Sequence, residues 1–158
     1  MKIICVGLNY RKHAAEMGRP LPAEPMIFLK PDSALLKKNK PFFIPDFSKN
    51  LQFEAEVVLR ISKLGKGIAA KYADRYYDAL TVGIDFTARD LQHRFSQAGH
   101  PWELSKTFDG SAPLGTFLPA ERFPDHSDVS FSLEINGEKR QEGNTSDLIF
   151  GFADIIEY

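Results

Sequence analysis

Residues 51–61 constrain the fold of this chain most strongly, because apolar side chains recur there at every second position. The apolar positions are Leu51, Phe53, Ala55, Val57, Leu59 and Ile61. Alternation with a period of two over this length is typical of a strand that rests one face on a core. The pattern therefore predicts a sheet with this segment as a member.

Two acids, Glu54 and Glu56, stand on the opposite side of that strand, since positions i and i+2 project the same way. Paired carboxylates are candidate ligands for a hard cation such as Mg²⁺ or Ca²⁺. They are also common on the solvated face of an antiparallel sheet. Their mutual repulsion in water is only about 0.6 kcal/mol, so the pair alone leaves both interpretations open.

The remaining patterns predict an α+β domain in which strands dominate. Further strands are expected at 2–7, 26–29, 80–84 and 129–135, and Asn136-Gly137 is a two-residue hairpin turn that leads into a return strand. Helices are expected at about 10–17, 73–80, 87–97 and 146–156, with a capping box at Thr87–Asp90 opening the third. The chain has 158 residues, which suits one domain with a sizeable core.

The net charge, the cysteine count and the lengths of the apolar segments limit the partners and the location of the protein. The net charge is −1 without a basic block, which argues against nucleic acid. The single cysteine, Cys5, excludes an internal disulfide and falls in an apolar run that is typical of a buried strand. No segment approaches the roughly 20 apolar residues that span a membrane, and the N-terminus lacks a signal-peptide profile. We therefore expect a cytoplasmic protein.

Residues elsewhere in the chain could carry chemistry. His13 and Glu16 are neighbours on one helical face, where a carboxylate could orient an imidazole as a general base; the alternative is an exposed histidine. Asp85 ends an apolar strand just before a helix, either as a functional group or as a turn residue at the helix N-terminus.

A second set of candidates follows Asp85. Arg89 and Gln92 share a helical face, and arginine suits a bidentate grip on a carboxylate, although a solvated helix side would look the same. Lys106 lies in a predicted loop with aromatic neighbours, where function is common, but a lone lysine is usually a surface residue.

Six motifs in order give the chain a resemblance to the fumarylacetoacetate hydrolase family, in particular to its short single-domain members. The motifs occupy 7–16 (GLNYRKHAAE), 25–31 (PMIFLKP), 53–57 (FEAEV), 83–92 (GIDFTARDLQ), 106–109 (KTFD) with 113–115 (PLG), and 136–137 (NG) with 141–145 (QEGNT). The resemblance implies a mixed β-sandwich or β-roll, usually as a homodimer.

The resemblance also implies roles for the candidate residues. It implies a divalent metal, usually Mg²⁺ and sometimes Ca²⁺ or Mn²⁺, held by Glu54, Glu56 and Asp85. Arg89, Gln92 and Lys106 are then expected to face the substrate, and His13 and Glu16 to sit on a mobile lid.

Substrates in such a family are 2-oxo or β-diketo acids, which can chelate a metal through a carboxylate and a keto oxygen. We expect Glu16 to orient His13 so that His13 deprotonates water, which attacks the distal ketone of an acylpyruvate of the fumarylpyruvate or acetylpyruvate type. Lys106 is expected to steady the developing negative charge. The enzyme predicted in this way is a metal-dependent carbon–carbon bond hydrolase.

Two alternatives stay open. The same metal-enolate chemistry permits oxaloacetate decarboxylation, tautomerisation, isomerisation or hydration of related acids. The family pattern is also expected to continue past Tyr158, with a strand region containing a Gly-Thr-Pro segment. If that part is missing from the protein, residues 1–158 form a shortened domain that could bind metal without turnover and could expose strand edges.

Overall fold

The computed structural model is an α+β protein rich in strands, which confirms the predicted fold class. The structure describes residues 1–16, 18, 20–37 and 40–158. The strands are β1 Ile3–Gly7, β2 Met26–Lys30, β3 Leu35–Leu36, β4 Leu51–Ile61, β5 Tyr77–Ala88, β6 Ala112–Pro113, β7 Leu118–Pro119, β8 Ser130–Ile135 and β9 Glu138–Asn144. The α-helices are α1 Arg11–Glu16, α2 Arg89–Ala98, α3 Glu103–Lys106 and α4 Phe152–Glu157.

The strands pair in small groups. β1 pairs with β2, β3 runs parallel to β6, β8 and β9 form an antiparallel hairpin, and the order of the largest sheet is β4-β5-β7. The hairpin turns at Asn136 and Gly137 as the sequence predicts, and both residues have positive φ, of 54° and 81°. That geometry is the one that Asn-Gly supplies at low cost.

By its contacts, the chain divides into two compact units, each assembled from separated segments. The first unit comprises Met1–Cys5, Ile27–Glu56 and Val82–Gly115. The second comprises Val6–Met26, Val57–Thr81 and Thr116–Tyr158. The boundaries fall inside β4 and β5 rather than in a linker, so each of these long strands contributes residues to both units.

The predicted helix at 73–80 is wrong over most of its length. A 3-10 helix covers Ala70–Arg75, and the chain is already extended in β5 from Tyr77. Tyr77 and Ala79 are both buried while Asp78 between them is exposed. This alternation belongs to a strand, and pairing of Ala79 with Pro119 of β7 supplies the partner that local sequence cannot show.

The predicted capping box at Thr87 is also wrong. Thr87 belongs to β5, and α2 begins at Arg89 after Ala88, which makes no side-chain cap. The Asp90 carboxylate instead accepts hydrogen bonds from Ser48 Oγ and from the Lys49 amide, at 2.6 and 2.9 Å. A helix does start at Arg89, but Thr87 does not cap it, and the Thr87 side chain is buried.

Helix α1, which carries His13, follows Asn9. The Asn9 side chain does not cap this helix; its amide exchanges two hydrogen bonds with the backbone of Phe150, at 3.0 and 2.9 Å. The predicted helix extends to Met17, which lies outside the described residues. Gly18, with φ of 60°, closes the segment by donating its amide to Ala15.

Candidate metal centre

Three carboxylates converge inside the first unit. Strand β4 brings Glu54 and Glu56 to one side, as the alternation predicts, and the adjacent part of β5 brings Asp85. One oxygen from each lies within 4.8 Å of the other two. Oxygen donors gathered this closely are the ligand type that hard divalent cations prefer.

The acids are not on a solvated sheet face, so this alternative from the sequence is wrong for them. The side chain of Asp85 is only 4% exposed and that of Glu54 20%, and Glu56 is partly buried. Charged groups removed from water are costly unless they are paired. The partners of each carboxylate therefore decide what the cluster can do.

Lys106 supplies the main pairing. It is the last residue of α3 and is buried. Its Nζ lies 2.8 Å from Glu54 Oε2, 2.5 Å from Asp85 Oδ2 and 2.7 Å from Thr87 Oγ1. The ammonium thus bridges two of the three carboxylates, and Thr87 accepts a further hydrogen bond from it.

These contacts shift the ionisation of both partners. Burial acts to lower the pKa of Lys106, but the Glu54 and Asp85 carboxylates outweigh it and hold that pKa above its ordinary value. Burial acts to raise the pKa of Glu54, but Lys106 and Arg89 outweigh it and hold that pKa below its usual range. Lys106 and Glu54 are therefore held in their charged forms.

Arg89 and Gln92, predicted to share a helical face, are in contact through a hydrogen bond from the guanidinium to the Gln92 amide oxygen. The guanidinium also pairs with Glu54 Oε1 and donates at 2.8 Å to Gln52 Oε1. Helix α2 begins at Arg89, directly after β5, so the strand end places this residue beside the carboxylates. Gln52 was not singled out from the sequence.

The oxygens of the cluster that could still bind a cation belong to Glu56 and Asp85. Among the described residues, the Glu56 carboxylate makes no hydrogen bond or ion pair, and burial together with the Asp85 and Glu54 charges raises its pKa to about 8. Asp85 Oδ1 is buried and accepts no hydrogen bond from the described residues, although an ammonium is close to it. Carboxylate oxygens that lie beside one another and accept no hydrogen bond fit a divalent cation.

Lys30 is the ammonium beside Asp85 Oδ1, and sequence reasoning missed it. It is 2% exposed, and its Nζ lies 2.8 Å from that oxygen. In the sequence, Lys30 follows four apolar residues, 26–29, that show no alternation, and only the structure shows that Met26, Phe28 and Lys30 occupy the inward positions of β2 while Ile27 and Leu29 are exposed. A lysine on the core side of an alternating strand needs a buried partner.

His13 and Glu16 lie on α1 in the second unit. His13 Nδ1 and Glu16 Oε2 are 3.7 Å apart. The side chain of His13 is 41% exposed and that of Glu16 is 75% exposed. The structure thus shows the predicted neighbourhood of the two residues, but the distance is that of an ion pair without a short hydrogen bond. Their catalytic role stays a prediction.

The fold and the acidic site place this chain in a known family. The C-terminal model of fumarylacetoacetate (FAA) hydrolase matches residues 2–158, so the chain belongs to the fumarylacetoacetate hydrolase family, as its motifs indicate. Relatives in this family carry hydrolase and tautomerase names.

Among curated relatives, the mitochondrial oxaloacetate tautomerase of Bos taurus is 38% identical and is matched over 99% of this chain and 71% of its own length. The oxaloacetate tautomerase of Escherichia coli is also 38% identical, over 99% of this chain and 72% of its own. An uncharacterised protein of Pyrococcus abyssi is 43% identical, over 99% and 70%.

Among solved structures, fumarylpyruvate hydrolase from Pseudomonas aeruginosa, crystallised with Mn²⁺ and pyruvate, superimposes with a TM-score of 0.92 at 36% identity. The match covers 100% of this chain and 70% of that one. That complex and the acidic triad together point to a divalent metal in this family.

Proposed function

We propose that the protein is a metal-dependent enzyme that acts on a 2-oxo acid through its enolate. The observation that carries this proposal is the convergence of Glu54, Glu56 and Asp85 within 4.8 Å, with Lys106 bridging two of them. When bound, a divalent cation, for which we propose Mg²⁺, supplies Lewis-acid polarisation of a carbonyl oxygen. The three carboxylates would hold it.

The neighbouring side chains can do the rest of the substrate handling. The Arg89 guanidinium has N–H donors beyond those that contact its three partners, so it can bind a substrate carboxylate. Gln92 lies beside it. Lys106, held as an ammonium, can stabilise the negative charge that develops when a proton or an acyl group leaves the carbon next to the keto group.

Acylpyruvate hydrolysis is the first candidate reaction. In it, Glu16 orients His13, and His13 takes a proton from water. The water oxygen bonds to the distal carbonyl carbon. The carbon–carbon bond then breaks, its electron pair forms pyruvate enolate, and a proton completes pyruvate while the acyl group leaves as an acid. The name of the Pseudomonas aeruginosa neighbour supports this reading.

Tautomerisation of oxaloacetate is the second candidate, and the composition of the cluster favours it. Lys106 and Arg89 contact its carboxylates and can stabilise an enolate, but neither of them activates water. The names of the Bos taurus and Escherichia coli relatives support this reading. Decarboxylation of oxaloacetate would use the same groups.

Assays of acetylpyruvate, fumarylpyruvate and oxaloacetate with Mg²⁺ or Mn²⁺ test the proposal. We expect chelation of the metal to abolish turnover and Asp85→Asn to lower kcat/KM by about 100-fold or more, because a ligand is lost. His13→Ala should slow hydrolysis about 100-fold and spare tautomerisation. Lys63→Met, at an exposed position, is the control.

Three outcomes would count against parts of this proposal. Turnover that survives complete metal removal would exclude the metal-dependent mechanism. Hydrolysis by His13→Ala at the wild-type rate would exclude His13 as the base. Thermal stabilisation by Mg²⁺ without turnover of any of the three acids would instead support a metal-binding protein without catalysis.

A further inference from the structure

Lys30 is a buried cation to which the proposed reaction assigns no task. Its side chain is 1% exposed and stands at the end of β2. A buried ammonium carries a desolvation cost that an apolar residue of similar size would avoid. The contacts that Lys30 makes show what this costly group does in the fold.

The ammonium of Lys30 ties together three places in the first unit. It donates to the backbone carbonyl of Lys106 and, at 2.9 Å, to Ser111 Oγ; the Ser111 carbonyl lies 3.2 Å away. Ser111 Oγ also donates to the Lys106 carbonyl, at 2.9 Å. The C-terminal end of α3, from which the Lys106 side chain extends, is thereby fixed from two sides.

Lys30 also acts on a proposed metal ligand. Its Nζ lies 2.8 Å from Asp85 Oδ1, while Lys106 Nζ lies 2.5 Å from Asp85 Oδ2. The two oxygens of this carboxylate therefore each face a different ammonium. Because the hydrogen bonds of Lys30 go to Lys106 and Ser111, its effect on Asp85 Oδ1 is electrostatic.

We propose that Lys30 is a positioning residue of the metal centre: it fixes the backbone that carries Lys106 and, as an internal cation, limits the affinity of Asp85 for a divalent ion. The inference rests on the proposed function. It predicts two effects of opposite sign when the charge is removed. Metal binding becomes tighter, because a repelling charge beside a ligand is gone, while turnover falls because Lys106 loses its support.

The test compares Mn²⁺ affinity and steady-state kinetics in the full chain. In Lys30→Met and the hydrogen-bonding Lys30→Gln, we expect Mn²⁺, titrated by its electron paramagnetic resonance signal, to bind about tenfold more tightly. On the substrate that the wild type converts, kcat should fall about 10- to 100-fold, with a smaller change in KM. Lys63→Met should change neither quantity.

Mn²⁺ affinity and kcat test the role of Lys30 and the proposed function separately. Unchanged or weaker Mn²⁺ binding in the neutral variants overturns the role of Lys30, since a merely structural lysine would loosen the site when replaced. Wild-type protein that binds Mn²⁺ but converts none of the three acids overturns the proposed function, and the affinities still decide the inference. If neither the wild type nor a folded neutral variant binds Mn²⁺, both proposals fail.

Lys30→Gln keeps the test decisive if Lys30→Met does not fold, because the amide can still donate to the Lys106 carbonyl. Ser111→Ala provides an independent check on the anchoring part. It removes the hydroxyl that links Lys30 to the end of α3 but leaves the charge of Lys30 in place. We expect lower kcat with Mn²⁺ affinity within about twofold of wild type; unchanged kcat would contradict the anchoring role.

Discussion

At the scale of single residues, the site consists of charges whose states are set by their neighbours. Glu54 is paired with Lys106 and Arg89, and its pKa falls below its usual range. Glu56 is two residues away on the same strand, yet it has no such partner and its pKa rises to about 8. Identical side chains on one strand face thus differ in ionisation, because Lys106 and Arg89 bind Glu54 directly, whereas at Glu56 burial and the neighbouring carboxylates outweigh the more distant cations.

The raised pKa of Glu56 predicts how stability depends on pH in metal-free protein. The usual carboxyl pKa is near 4.5 and the folded value is about 8, so between these values the folded state holds a proton that the unfolded chain has released. The contribution of Glu56 to the free energy of unfolding therefore falls as the pH rises through this interval. Thermal unfolding between about pH 5 and pH 8 should show this decline.

Glu56→Gln is the matched variant for this prediction, since its neutral amide resembles the protonated acid. We expect its unfolding temperature to fall less with rising pH than that of the wild type. A decline as steep in Glu56→Gln as in the wild type would show that other groups cause it.

At the scale of elements, strand ends and short helices deliver the functional groups. Asp85 and Thr87 belong to β5, Arg89 opens α2 immediately after it, and Lys106 closes α3. The strand-to-helix junction at 85–89 therefore supplies three groups of the site: Asp85 and Thr87 contact Lys106, and Arg89 contacts Glu54. Extending or shortening β5 by one residue would reverse which of its side chains face the cluster.

The β8–β9 hairpin offers a local test of how turn residues determine an element. Gly137 has φ of 81°, and a Cβ there would meet no atom within 4 Å. Gly137→Ala should thus lower the free energy of unfolding by about 1 kcal/mol through backbone strain alone, whereas Gly137→Asn should cost less because asparagine tolerates this conformation. Denaturant titration measures both; equal stability of Gly137→Ala and wild type would contradict the strain argument.

At the scale of the whole molecule, we propose association into a homodimer, which the family resemblance implies. Within the first unit, Ile4, Ile27 and Leu29 are 59%, 39% and 51% exposed on β1 and β2. Apolar groups on neighbouring strands that remain exposed in a single chain are typical of a surface that a partner covers. Among the described residues, no helix is long and apolar enough to cross a membrane.

Light scattering coupled to size-exclusion chromatography tests this proposal. We expect the wild type at about twice the mass of one chain and Leu29→Lys shifted towards one chain, because a charge on the contact surface must be desolvated. Leu64→Lys, at a fully exposed leucine in the second unit, is the control and should behave like the wild type. A monomeric wild type would exclude the dimer.

Features of this protein that depend on short-range pattern follow from its amino-acid sequence alone. Alternation predicted β4 and the common side of Glu54 and Glu56, Asn136-Gly137 predicted the hairpin, and the ordered motifs indicated the family. These succeed because periodicity and turn conformation are local properties of the backbone. The helix predicted at 73–80 failed because pairing of β5 with β7 overrides local propensity.

Which charges meet depends on how distant segments of the chain pack together. Burial turned a face that could have been solvated into an interior cluster, brought Lys106 to bridge Glu54 and Asp85, and set Lys30 against the remaining oxygen of Asp85. Glu54 and Lys106 are 52 residues apart in the chain. Because the ionisation and metal-binding capacity of a carboxylate depend on its distance to such groups and on water exclusion, sequence spacing could propose the ligands but could not assign their charge states.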